Sequence, residues 1–203
     1  MIRADSAVAQ AANPPTAQPN EHRLAATVKF FTGAGVALVL HESGHLAFDV
    51  MFDAQPSIKR VNFGPFPFFA ITHRPDLSPR REFAVSSAGF WVQEAGDEWL
   101  LTTRSDLRTE RAPYLKGLLA FNALTSIGYA TVAFAKAGPA ERDTRGMSAS
   151  IAVNEPIIGL FVLAPAILDG FRYYRPQARW ARWASRGAKA SSVLLILKSR
   201  PAR

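Results

Sequence analysis

The sequence predicts a mainly α-helical, polytopic membrane bundle of three to four spans, with a short β-hairpin after the first helix. Three observations carry that expectation. Long apolar blocks recur along the chain, each of a length suited to crossing a bilayer. A segment of β-branched and aromatic residues, punctuated by Gly64, Pro65 and Pro67, follows the first block. Charge is segregated: the net charge is +8, and nine Lys/Arg with no Asp/Glu fall between Gly170 and Arg203. At 203 residues and 48% apolar content, the chain suits one sizeable domain with tails. The absence of cysteine excludes a disulfide scaffold, a Cys-ligated zinc or iron–sulfur site and a thiol nucleophile.

Met1 to Arg23, rich in Ala, Pro, Gln and Asn, reads as a disordered lead-in. Leu24 to Phe52 is the first apolar block; its 29 residues exceed the roughly 20 that a spanning helix needs, and no proline interrupts it. Thr32, Gly33, Gly35 and Ala37 are small enough to let another helix approach closely. Ser57 to His73 reads as two short strands joined near Gly64–Pro67. Ser78 and Pro79 are the N-cap and first residue of a helix whose body is Glu82 to Leu101. Tyr114 to Ala135 is the cleanest span, with Lys116 its one charge. Ser148 to Tyr174 is expected to be helical, with Pro156 and Pro165 as kink points. This core, 24–176, is followed by a basic, Trp-bearing tail, 177–203, suited to lying on an anionic lipid surface.

The chemistry centres on His41-Glu42-Ser43-Gly44-His45, an HExxH. On a helix, residues i and i+4 share a face, so both imidazoles can reach one ion while Glu42 projects beside it as a proton acceptor. Titratable groups inside an apolar span are costly and mark function. A catalytic zinc needs a third protein ligand. The metzincin continuation is excluded, because Phe48 and Met51 stand where it needs Gly and His. Asp169 and Glu155 are the remaining candidates, with His73 a weaker one, more in keeping with an ordinary surface histidine.

An HExxH in a first span, strands with a Gly-Pro turn, the Ala88-Gly89 helix and the late Leu168-Asp169-Gly170 resemble the site-2 protease family of intramembrane zinc metalloproteases. The shared pattern covers roughly Leu24 to Asp169. The resemblance implies that His41, His45 and Asp169 bind Zn2+ and that Glu42 is the general base. Two departures stand out. Phe90 and Gln93 occupy positions where the family has Pro and Asn, and Phe161 replaces an Asn ahead of the late motif, where Pro165 is also displaced.

The expected activity is hydrolysis of peptide bonds in or near transmembrane segments of protein substrates. Gln93 and Asn154 are candidate oxyanion or substrate contacts, and the strands could accept an unwound substrate by β-addition. Two alternatives remain: a soluble or peripheral zinc peptidase using Glu155, and a non-catalytic membrane protein with a relic metal site. Basic residues after the first span (Lys59, Arg60, Arg74, Arg80, Arg81) place the active site toward the cytoplasmic side of a bacterial inner membrane. If the Glu82–Leu101 helix also crosses, however, the basic tail falls on the opposite side unless the tail helix inserts too. Despite a pI near 10.3, the chain carries no nucleic-acid motif, and lipid is the expected anionic partner.

Overall fold

The computed structural model describes residues 19–63 and 66–199. Helix α1, Pro19–Met51, leads into the antiparallel hairpin of β1, Ser57–Phe63, and β2, Phe66–Thr72. Then come α2, Pro79–Thr103; α3, Pro113–Ala135; α4, Asp143–Ile151; α5, Glu155–Tyr174; and α6, Arg179–Leu194, ending in a 3-10 turn, Leu195–Lys198. Prolines open α2, α3 and α5, where the missing N–H costs nothing. Ser78 is the N-cap of α2, as the sequence implied.

Two boundaries differ from expectation. Helix α1 begins at Pro19, inside the segment expected to be a disordered lead-in; residues 1–18 lie outside the described residues, as do Gly64 and Pro65 of the expected turn. The single segment expected over Ser148–Tyr174 is two helices. Ala152 takes a left-handed conformation, φ 55°, that ends α4, and Pro156 then sits in the first turn of α5 rather than kinking a longer helix. Pro165 does lie within α5.

The long helices run alternately up and down. Gly33 and Gly117 allow α1 and α3 to cross at backbone contact: a Cβ on Gly117 would lie 1.9 Å from the Phe30 carbonyl oxygen, and one on Gly33 would lie 2.0 Å from that of Tyr114. Phe83, Phe90, Met147, Ile158 and Val162 form a core cluster that ties α2, α4 and α5 together.

Beside this apolar core, polar side chains are buried while many apolar ones face outward. Val28, Phe31, Val39 and Val50 on α1, Leu124 on α3 and Leu160 on α5 face outward, whereas His41, His45, Asp49, Gln93, Asp97, Asn122 and Asp169 are buried. Three helices, α1, α3 and α5, are long and apolar enough to cross a membrane.

Candidate metal centre

Helix α1 carries His41 and His45 one turn apart on its face toward α2, and both are buried. Room for two imidazoles exists because α2 presents Gly89 there. A Cβ on that residue would lie 2.5 Å from His41 Cε1 and 2.6 Å from His45 Nε2. The Ala88-Gly89 pair singled out in the sequence therefore shapes the site through the absence of a side chain.

The third residue is Asp143, the first of α4. Its Oδ2 lies 3.3 Å from Nε2 of His41 and 3.3 Å from Nε2 of His45, and the two Nε2 atoms are 3.2 Å apart. Ligands about 2.0–2.2 Å from a tetrahedral zinc stand about 3.3–3.5 Å from one another, so this triangle has the size of one face of the coordination polyhedron. His45 Nδ1 lies 2.7 Å from the Val85 carbonyl oxygen and donates to it, so Nε2 is the ring nitrogen that faces His41 and Asp143. Burial by itself would raise the Asp143 carboxyl, but the imidazoles of His45 and His41 hold it well below the usual carboxylate range. Two imidazole nitrogens and a carboxylate oxygen converging in a buried space form a group that could hold a metal ion.

Asp143 is held from both sides of the chain. Arg142 donates from Nε and one terminal nitrogen to the two oxygens of Glu155, each at 2.7 Å, and the Thr144 hydroxyl donates to Glu155 at 2.8 Å. Tyr129 of α3 stacks on His41, with centroids 6.1 Å apart, and its hydroxyl bonds the Asp143 carboxylate.

The expected third ligand, Asp169, lies elsewhere. It accepts from Ser185 at 2.6 Å, pairs with Lys189 at 2.8 Å and Arg172 at 3.3 Å, and belongs to a cluster between α2, α5 and α6. The LDG stretch falls near the C-terminal end of α5, whereas the histidines meet the opposite end of the bundle. Glu155, the alternative ligand, is committed to Arg142 and Thr144. His73 is also no ligand; it bridges Glu82, at 2.8 Å, and Asp49, at 3.5 Å.

Gln93 is buried one turn beyond Gly89, facing a separate cavity with Asn122. Asn154 is exposed at the N-cap of α5. Neither lines the cavity at the metal centre. Glu42 does: with His45 and Asp143 it borders a cavity of about 350 Å³ walled by Phe69, Ala70 and Ile71 of β2 and by Tyr129 and Val132 of α3. Asp143 and Tyr129 had no signature in the sequence; the former lies in a mixed-charge stretch between apolar blocks, the latter in an uninterrupted span.

No protein-family model matches the chain, and no curated protein or solved structure matches it significantly.

Proposed function

We propose that the protein is a membrane-embedded zinc metallopeptidase of the site-2 protease type, acting on peptide bonds in or beside transmembrane segments of other membrane proteins. The observation that carries this reading is the near-equilateral triangle of His41, His45 and Asp143 donor atoms, with Glu42 beside it on the wall of an apolar cavity. The apolar exterior of α1, α3 and α5 supports residence in a bilayer. The basic residues around the hairpin support an orientation with this end toward the cytoplasm.

His41, His45 and Asp143 would hold the zinc, which when bound would polarise a carbonyl and make a coordinated water more acidic. Glu42, on the cavity wall beside them, would accept a proton from the attacking water and hand it to the departing amine. Tyr129, stacked on His41 and bonded to Asp143, orients both ligands. Strand β2 offers extended backbone along the cavity wall, suited to holding a substrate segment unwound from its helix. The cavity volume, within the range of small-ligand sites, suits a few residues of such a segment.

The test compares membranes from cells carrying wild type and Glu42→Gln. Protein termini generated within or next to transmembrane segments should appear with wild type and vanish with the variant. Termini that persist unchanged in the variant would overturn the reading.

A further inference from the structure

Helix α6 is folded with its polar side inward. Its buried residues are Ala181, Ser185, Lys189 and Ser192. The outward stripe, at helical spacing, runs Trp180, Trp183, Gly187, Ala190 and Leu194; the two tryptophans and the leucine are 60%, 66% and 58% exposed. In an aqueous protein that arrangement would leave the polar face dry and the apolar face wet.

The polar face is fully engaged. Lys189 pairs with Asp169 at 2.8 Å and with Glu98 at 3.3 Å. Arg186 Nε donates to Glu98 at 2.8 Å, Ser185 donates to Asp169 at 2.6 Å and Ser192 donates to Glu94 at 2.8 Å. Arg172 of α5 joins the two halves by pairing with both Glu98 and Asp169. Both cations in the middle of α6 are thus neutralised on the protein side. The remaining ones, Arg179, Arg182 and Lys198, lie at the two ends, where long side chains reach headgroups.

The helix also has the reach of a span. It runs antiparallel to α5 and α2: Trp180 meets Phe171 at a tilt near the end of α5, and Leu195 packs into the Phe83–Met147–Ile158 cluster at the metal-centre end. Sixteen residues of α-helix and the 3-10 turn together measure about 32 Å, against a hydrocarbon core of about 30 Å. The outward apolar residues continue the exposed surface of α5, including Phe171 and Ile167.

We propose that α6 with its terminal turn is a bilayer-crossing helix covered by lipid hydrocarbon, with Trp180 and Trp183 in one headgroup belt, rather than a tail lying flat on an anionic surface. Averaged hydropathy misses it because five Lys/Arg dilute the score, although Lys189 is buried and Arg186 pairs with Glu98. With α2 enclosed in the same bundle, α1, α2, α3, α5 and α6 alternate in direction. The end of α6 with Lys198 then returns to the side that carries the hairpin and its basic residues, while Arg175, Arg179 and Arg182 lie at the opposite end.

The proposal rests on membrane residence of the bundle and not on any chemistry at His41. The chain has no cysteine, so single-cysteine variants can be labelled directly. Nitroxides at Ala184→Cys and Ala190→Cys of α6, and at Leu124→Cys of α3, are compared by collision with oxygen and with a water-soluble nickel chelate. The full chain is reconstituted in phosphatidylcholine–phosphatidylglycerol vesicles. In spheroplasts, Arg179→Cys and Lys198→Cys are probed with a membrane-impermeant maleimide. The expected result is oxygen access with at least severalfold protection from nickel at all three nitroxides, and labelling of the two end positions from opposite faces. If Leu124→Cys is protected but both end cysteines label from one face, α6 lies on the surface and the proposal fails while membrane residence stands. Protection of the α6 labels from oxygen as well as nickel means that protein covers the face, which also overturns it. Nickel access at Leu124→Cys would overturn membrane residence itself.

Discussion

The guanidinium of Arg142 binds both carboxylate oxygens of Glu155 at 2.7 Å, tying the residue before Asp143 to the first turn of α5. With Thr144 bonded to the same carboxylate, the backbone flanking Asp143 is clamped on both sides. Glu155 thus acts on the metal centre through the chain rather than through space. Glu155→Gln is expected to weaken zinc binding by about 10- to 100-fold, the usual cost of losing a group that orients a ligand. Asp143→Ala should remove stoichiometric binding. Zinc titration of detergent-purified protein measures both; equal loss from the two variants would contradict an indirect role for Glu155.

Asp169 gives the reciprocal expectation. Its removal leaves Arg172 and Lys189, both buried, short of a counter-charge. Asp169→Ala should therefore destabilise the fold, by about 3–5 kcal/mol on the scale for breaking a buried pair, yet spare zinc stoichiometry in whatever protein stays folded. Thermal unfolding together with metal analysis separates these effects. Loss of zinc at full stability would restore Asp169 as a ligand.

Gly89 admits no side chain, because a Cβ would lie 2.5–2.6 Å from the two imidazoles. Gly89→Ala is expected to push His41 and His45 apart and lower zinc affinity by at least tenfold. Gly96→Ala on the same helix, where a Cβ meets nothing within 4 Å, should leave it unchanged. A cobalt-substituted protein would report the change in its visible spectrum.

His73 supplies a pH dependence. Its hydrogen bond to Glu82, with the charges of Glu82 and Asp49, raises the imidazole above its ordinary value despite partial burial. A histidine raised in the folded state stabilises most below its unfolded pKa of about 6.5, and that contribution fades as pH rises through the folded value. The melting temperature of wild type should fall between about pH 6.5 and the raised folded value, and His73→Gln should flatten that limb. Parallel profiles for the two proteins would refute it.

Much of this was written in local sequence. HExxH needs only a helix to bring His41 and His45 onto one face, because the spacing that defines the motif is the helix's own. Pro79 opens α2 with Ser78 at the N-cap, and the β-branched and aromatic residues mark the two strands for equally local reasons. The uninterrupted apolar stretches mark α1 and α3. The break at Ala152 was not legible, since a left-handed alanine has no composition of its own.

What sequence by itself determined, then, was what has its cause within a few residues: helices α1, α2 and α3, the hairpin, the paired imidazoles and the adjacent Glu42. Only the tertiary structure decided which carboxylate joins them and which face of α6 turns inward. Four acidic residues, Glu141, Asp143, Glu155 and Asp169, follow α3, and nothing within a turn of any of them records its destination. That was settled by the packing of α4 against α2, which brings the Asp143 side chain to the histidines of α1, and by buried arginines. Arg142 draws Glu155 away from the metal centre and helps place Asp143 within it, while Arg172 and Lys189 hold Asp169 toward the other end of the bundle. A buried charge takes the nearest opposite charge, and which one is nearest is a property of the packed bundle rather than of the neighbouring sequence.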